Sequence, residues 1–432
     1  MKKRILFGFI LIFALVIPLL LISCEDEKVP GLAVNLSIDT EKSKQGQIFG
    51  SVAIENSDSC EIYFADQEGK ALEGYTKIGV ATSEQALALD GSVIPPEAKS
   101  IVAVSKSGEM SSCKISENYL LNKDDAYIFG ILSDIHFNKY YSTEGVDDAE
   151  ISFDRALDYF DKIGVQMVGV TGDISNDGEE SALIKFNDAI KDRPYPVFTV
   201  TGNHDVNAYR GSEKLWTKYI TDNLKGCTSI SDWGDFVYAP EEMGGDVFVF
   251  LNVVAYDYAN KQTRVLRGAQ IDWLAQICEE HKEDNVYLFF HLFMCGPDGQ
   301  GHTGVGNIMN PGGYTYPLPF KYGNADERSF RILMKKYPNV VYFSGHSHWM
   351  FEMEKYGEQA NYSNFGGEYC HMVHVPSVTE PRWIGDNDTN RTGKNGESSQ
   401  GWIAYDYGQE TVLVPIDFKT GTIYTEYMEI IH

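Results

Sequence analysis

Five short stretches of this chain carry residue types suited to holding cations: Asp134-Ile135-His136, Gly172-Asp173, Gly202-Asn203-His204-Asp205, His291, and Gly345-His346-Ser347-His348. Five of the ten histidines fall in them. Oxygen and nitrogen donors without thiolate suit borderline or hard divalent ions such as Mn, Fe, Zn or Ni, not a structural cysteine–zinc site. Asp134, His136, Asp173, Asn203, His291, His346 and His348 are too many donors for one ion and the right number for two, with the Asp173 carboxylate able to bridge. Residues two apart on an extended segment point the same way, so Asp134 with His136, and His346 with His348, are expected to converge. Gly172, Gly202 and Gly345 each directly precede a ligand and permit the sharp turns and close backbone approach that such a rim needs.

Each stretch follows an apolar, strand-like run. Tyr127 to Leu132, Val165 to Val170 and Tyr195 to Val200 read as strands, with amphipathic helices over Asp148 to Ile163 and Glu179 to Lys191 between them. Strand, helix, strand, helix, strand means βαβ units and parallel pairing. Further strands are expected at Val247 to Val254, Val286 to Phe290 and Val340 to Phe343, with helices at Ala269 to His281 and Arg328 to Lys336. In such sheets ligands bind at the carboxyl ends of the strands, where the five stretches lie. After a polar stretch, Asp386 to Gln400, the segment from Trp402 to Ile431 alternates like antiparallel strands.

Asp134-x-His136, Gly172-Asp173 with Gly178 completing G-D-x-x-x-x-G, Gly202-Asn203-His204-Asp205, His291 and Gly345-His346-x-His348 occur in order and together resemble the calcineurin-like metallophosphoesterase superfamily, over about Tyr127 to Pro381. The resemblance implies an α/β fold, a four-layer αββα sandwich carrying a binuclear metal centre. It implies that Asp134, His136 and His348 hold one ion and Asn203, His291 and His346 the other, with Asp173 shared. His204 would be the catalytic histidine beside the leaving group, oriented by Asp205. Purple acid phosphatases, a branch of the superfamily, carry a tyrosine ligand three residues after the bridging aspartate. Asn176 stands there instead, so a tyrosinate–iron site is not expected. The implied reaction is hydrolysis of a phosphomonoester or phosphodiester by a hydroxide bridging two ions, with no covalent intermediate. A histidine is suited to protonating the departing alkoxide.

Beyond these motifs the signals are weaker. Gly299-Gln300-Gly301-His302-Thr303-Gly304 matches a dinucleotide fingerprint in letters, but Asn310-Pro311-Gly312-Gly313 follows where a helix should, so it reads as a loop. That loop leaves His291, which makes His302, Tyr314, Tyr316 and Phe320 candidate substrate contacts. Arg382 could reach a phosphate, with a surface ion pair as the default. His371 and His374 face opposite sides of one strand and read as structural.

Lys2, Lys3 and Arg4, the apolar run Ile5 to Ile22 and Leu21-Ile22-Ser23-Cys24 describe an export signal and resemble a bacterial lipoprotein box, with lipid on Cys24. Glu25-Asp26-Glu27 resembles an acidic surface-targeting tether. The expected division is a signal peptide at 1–24, a tether at 25–30, a small all-β, immunoglobulin-sized domain at 31–120, and the metallophosphoesterase domain at 126–432. Cys60 and Cys113 fall in strand-like stretches of the β domain and read equally as a disulfide or as two buried thiols. Sixty-two acidic against 36 basic residues, a net charge of −26, make nucleic acid an unexpected partner. Expected partners are a small phosphoester and, through the lipid on Cys24, the outer membrane or cell surface, periplasm-facing orientation included. The rival reading is a non-catalytic surface-binding or adhesion lipoprotein that works through its β domain. It would be favoured by a missing ligand or a lost His204, and neither is seen.

Overall fold

A computed structural model describes residues 31–139, 149–206, 216, 218–220, 224–254, 266–294, 304–305, 308–309, 315–316, 325–356, 359–384, 391–393 and 397–432. Seven strands come first: β1 (Ala33–Ile38), β2 (Gln47–Glu55), β3 (Ser59–Ala65), β4 (Gly79–Thr82), β5 (Leu87–Val93), β6 (Ser100–Ser105) and β7 (Met110–Lys114). They form two antiparallel sheets, β1-β2-β5 and β4-β3-β6-β7, closed over a shared core that includes Ile48, Val52, Ile62, Phe64, Leu89 and Ile101. Alternation of buried and open positions along β2 and β3 is what places those side chains inward. Cys60 and Cys113 are free thiols. Both lie in the four-stranded sheet on opposite sides of β6, Cys60 opposite Ser105 and Cys113 opposite Ile101, too far apart along the strands to bridge.

The second part begins with β8 (Tyr127–Leu132), α1 (Ala149–Ile163), β9 (Met167–Val170), α2 (Glu180–Ile190) and β10 (Val197–Thr199). It continues through β11 (Cys227–Thr228), β12 (Phe236–Tyr238), β13 (Val247–Phe250), α3 (Gly268–Glu280) and β14 (Val286–Phe289). Three two-residue strands, β15 (Gly304–Val305), β16 (Ile308–Met309) and β17 (Thr315–Tyr316), precede α4 (Ala325–Lys336) and β18 (Val340–Ser344). The remaining strands are β19 (Gln359–Ala360), β20 (Tyr362–Ser363), β21 (His371–His374), β22 (Arg382–Ile384), β23 (Arg391–Gly393), β24 (Gln400–Asp406), β25 (Thr411–Asp417), β26 (Thr422–Ile423) and β27 (Glu429–Ile431).

Two seven-stranded sheets result. One runs β10-β9-β8-β24-β25-β26, with β27 also on β25; the other runs β11-β12-β13-β14-β18-β21-β20. The βαβ half of each is parallel as expected, while β24 lies antiparallel against β8 and brings the C-terminal strands into the first sheet. The sheets pack face to face through an aromatic layer: Phe250 and Phe289 stack at 4.8 Å on the inner face of the second sheet, and Phe129 of the first meets Phe248 of the second edge-on at 4.9 Å. α1 and α2 cover the outer face of the first sheet with Phe153, Leu157, Phe160, Leu183 and Phe186. α3 and α4 cover the second with Leu274, Ile277, Phe330 and Met334. In α1 the buried positions 153, 156, 157 and 160 follow the helical period and set that face. The order helix, sheet, sheet, helix is the four-layer sandwich. Among the described residues no helix is long and apolar enough to cross a membrane.

Candidate metal centre

The C-terminal ends of five parallel strands meet at one edge of the two sheets. Asp134 and His136 follow β8, Asp173 follows β9, and Asn203 and His204 follow β10. The second sheet supplies His291 after β14 and His346 and His348 after β18. Backbone bonds lock these loops together: Asp134 N to Gly172 O at 3.0 Å, His136 N to Asp173 O at 2.9 Å, and Gly345 N to His291 O at 3.0 Å.

The ligand loops are not extended. Asp134, His136, Asp173, His346 and His348 all sit at positive φ, between 52° and 71°. The i, i+2 side chains therefore converge because the chain coils left-handed at each ligand, and not through the strand period. That conformation is costly for residues with a Cβ and persists only where the surroundings impose it. The glycines act differently from one another. Gly172 is itself at φ +104°. A Cβ at Gly202 would collide with the Asp173 carboxylate, and one at Gly345 would strike Ser133 Oγ and come within 2.5 Å of Asp134 Oδ2.

Seven predicted groups come together here. His348 Nε2 lies 3.0 Å from Asp134 Oδ1 and 3.1 Å from His136 Nε2, and His136 Nε2 lies 3.7 Å from both Asp134 Oδ1 and Asp173 Oδ2. His291 Nε2 lies 3.2 Å from Asp173 Oδ2 and 3.0 Å from Asn203 Oδ1. Two groups able to hold a cation emerge, Asp134, His136, Asp173 and His348 on one side and Asp173, His291 and His346 on the other, with Asp173 common to both.

One oxygen of each carboxylate is an anchor. Asp134 Oδ2 accepts from Ser133 Oγ and from His346 N, and Asp173 Oδ1 accepts from His204 N at 2.9 Å. The other oxygens, Asp134 Oδ1 and Asp173 Oδ2, are buried and accept no hydrogen bond of proper geometry. They face imidazole nitrogens, Asp134 Oδ1 that of His348 and Asp173 Oδ2 that of His291. Such a buried acceptor set is costly unless a cation satisfies it, so the residues fit a pair of divalent ions. The outer atoms agree. His291 Nδ1–H donates to Thr171 O at 2.9 Å, which turns Nε2 inward. Thr171 Oγ1 also donates to Ser133 Oγ, the group that anchors Asp134.

Burial would raise the carboxyls of Asp134 and Asp173, but the surrounding histidines outweigh it and hold both well below the usual carboxylate range. Burial pushes His136 and His346 down to about 3. Burial acts likewise on His291, but Asp173 and Asp134 overcome it and raise that ring to about 9. At neutral pH the cluster thus offers two anionic carboxylates and, at His136 and His346, neutral rings, the protonation states that cations require, with a proton on His291 for an ion to displace.

His204 stands at the rim, half-buried, its ring 4.8 Å from that of His136. Asp205 does not orient it. The Asp205 carboxylate accepts from Ile174 N, Ser175 N, Ser175 Oγ and Gly202 N, clamping the loop after β9 to the loop after β10. The His204 ring is held by Asn176, whose backbone oxygen takes a hydrogen bond from Nδ1 at 2.6 Å.

Arg382 pairs through its guanidinium with Glu380 at 3.3 Å, the ion pair that is its default reading. His374 is a satisfied core histidine, bonded to Trp349 O at 2.8 Å, and His371 meets the Tyr362 hydroxyl at 2.7 Å. Cys24, His302, Tyr314 and Phe320 lie outside the described residues, and of Tyr316 only the backbone, in β17, is described. Glu380 was missed by sequence reasoning. Its carboxylate sits 3.4 Å from His348 Nδ1 and pairs with Lys139 and Arg382. Burial would raise it, but those three groups hold it well below the usual range. No local signal marks it, because Lys139 is 241 positions away.

The calcineurin-like phosphoesterase family model matches residues 128–350, just over half of the chain. The chain belongs to the calcineurin-like phosphoesterase family. All of the gathered donors fall inside the matched stretch, while Glu380 and the N-terminal sheets lie outside it. Among solved structures the chain is similar to a Danio rerio dimetal phosphatase, at 16% identity over 71% of this chain and 98% of that one, with a TM-score of 0.47. A purple acid phosphatase from yellow lupin (Lupinus luteus) seeds is 11% identical over 93% of this chain and 74% of its own, with a TM-score of 0.42. Vps29 from Entamoeba histolytica, as a single mutant, is 10% identical over 70% and 98%, with a TM-score of 0.31. At such identities none of them carries a substrate to this calcineurin-like phosphoesterase. Comparison with curated proteins gives no match.

Proposed function

We propose that this chain is an exported, lipid-anchored phosphoesterase that hydrolyses small phosphomono- or phosphodiesters at a two-metal centre. The observation that carries the reading is the pair of buried acceptors, Asp134 Oδ1 and Asp173 Oδ2, turned toward the imidazoles of two cation-holding groups that share Asp173. Asp134, His136 and His348 would hold one ion and Asn203, His291 and His346 the other. When bound, two such ions supply the Lewis acidity that activates water at neutral pH and neutralises phosphoryl oxygens. The chain's own residues do the rest. Positive-φ loops clamped by Asp205 hold the donors in place and spare the site reorganisation during reaction. His204, its Nδ1–H held by Asn176 O, presents Nε2 to the leaving-group oxygen and gives it a proton. Export and attachment through Cys24 rest on the basic, apolar and cysteine pattern of the first 24 residues.

Release of nitrophenol from a nitrophenyl monoester and from the bis-nitrophenyl diester, by protein first stripped with chelator and then resupplied with Mn, Zn or Ni, tests the reading. Activity should vanish on stripping, return with metal, and be absent from Asp173→Asn. Intact metal binding without turnover of any phosphoester, alongside tight glycan or protein binding, would turn the assignment toward a surface adhesin.

A further inference from the structure

Two ring nitrogens of the centre, His136 Nδ1 and His348 Nδ1, are buried without a hydrogen bond of proper geometry, and the second has a carboxylate beside it. His348 Nδ1 is buried and makes no hydrogen bond of proper geometry, yet Glu380 Oε2 lies 3.4 Å from it, within ion-pair distance. Glu380 is not a surface acid that happens to be near. Its backbone N–H donates to Ser377 Oγ at 2.8 Å, and that hydroxyl in turn donates to Asp134 O at 2.8 Å, so the loop bearing Glu380 is tied to the loop bearing a ligand. Its carboxylate is gripped from the other side by Lys139 and Arg382, whose side chains are only about a quarter and a sixth exposed, at 25% and 17%. Both cations belong to ligand loops as well: Lys139 N bonds to His136 O at 3.1 Å, and Arg382 N bonds to His348 O at 2.7 Å. One carboxylate therefore joins the loops carrying Asp134, His136 and His348, and touches none of the residues that would hold the other ion.

We infer that Glu380, fixed by Lys139 and Arg382, is the positioning residue for the ion held by Asp134, His136 and His348. Its carboxylate accepts from His348 Nδ1–H, so that the ring is locked with Nε2 facing Asp134 Oδ1. Carboxylate–histidine–metal arrangements of this kind fix the tautomer and ring angle of the ligand, and losing the carboxylate weakens metal affinity by about 10–100-fold. Here the loss falls on one ion of the two, because His291 has its own carbonyl partner at Thr171. The inference rests on the two-metal reading of the site and adds an asymmetry that the reading alone does not contain.

Titration of chelator-stripped full-length protein with Zn, followed by isothermal calorimetry and by elemental analysis after dialysis against graded chelator, tests it on the parent, Glu380→Gln, Glu380→Asp and Lys139→Met. The expected result is two ions on the parent, and in Glu380→Gln one ion weakened by about 10–100-fold with the other unchanged. Glu380→Asp should recover part of the loss and Lys139→Met should show a several-fold loss at the same ion. Should Glu380→Gln fail to fold, Lys139→Met decides on the same criterion. Two ions bound with parental affinities in the folded variants, or equal weakening of both, would overturn the positioning role and leave the two-metal reading standing. A parent that takes up no metal would overturn both.

Discussion

At the scale of the residue, the account turns on which atom of each side chain is used. Asp134 and Asp173 each spend one oxygen on anchoring and keep the other for the cluster. His204 spends Nδ1 on Asn176 O and keeps Nε2 for the leaving group. If that proton matters, its loss should scale with leaving-group basicity. His204→Ala should hydrolyse nitrophenyl esters at near the parental rate but alkyl phosphoesters about 10²–10⁴-fold more slowly, with both metals retained. Equal rates on alkyl esters would remove His204 from the proton-donor role. Residue identity was readable in the sequence, because strand-end Asp, Asn and His in that order have few structural uses. Partner identity was not. The family resemblance implied Asp205 as the orienter of His204, yet a backbone carbonyl of a distant loop, that of Asn176, does that work, and backbone carbonyls leave no trace in a sequence.

The elements explain why such a strained arrangement persists. Five ligands at positive φ cost free energy that a loop alone would release. The loops are pinned by mutual backbone bonds between the ends of β8 and β9 and between those of β14 and β18. The glycines at 202 and 345 let them come that close. Gly345→Ala places a methyl group against Ser133 Oγ and Asp134 Oδ2. The expected outcome is a stability loss of about 1–3 kcal/mol in denaturant unfolding, together with weaker metal uptake at the Asp134 side. Parental affinity in that variant would show that the close approach is incidental. Strand and helix positions followed from hydrophobic period to within a few residues, as at α1 and β14. The positive φ of the ligands did not, since the residues in question are Asp and His and carry no conformational signature of their own.

For the whole molecule, the N-terminal sheets are welded to the phosphoesterase sandwich rather than strung from it. Thr76 N bonds to Ile423 O and Ile423 N to Gly74 O, both at 2.8 Å, so a segment of the β domain pairs alongside β26. Glu97 accepts from the hydroxyls of Tyr75 and Tyr405 at 3.0 Å each, across the junction. Glu97→Ala leaves the hydroxyls of buried Tyr405 and half-buried Tyr75 without this acceptor and should cost about 2 kcal/mol of stability while leaving kcat and metal content unchanged. A change in kcat would instead give the β domain a part in catalysis.

A second global property is pH dependence. Burial and the nearby Glu354 raise the Glu429 carboxyl, on β27, to about 8. A raised acid binds its proton more tightly when folded, so its contribution is fully present below the ordinary carboxyl range and is lost as pH climbs through about 8. Glu429→Gln lacks that loss. Its melting temperature should rise relative to the parent by several degrees between pH 5 and pH 8.5, and a difference that stays flat with pH would contradict the buried-acid assignment. The overall architecture was legible as far as α/β order and a separate β-rich start. The way β24 joins β8 was not, because neither strand carries a local signal of a partner so far away in sequence.

The most direct test of the central claim is metal content: elemental analysis of the protein begun after Cys24, loaded with Zn or Mn and freed of excess, for the parent and for Asp173→Asn. The account predicts two ions per chain in the parent and loss of both on replacing the shared carboxylate. A parent with no bound metal, or a variant that still carries two, would contradict it.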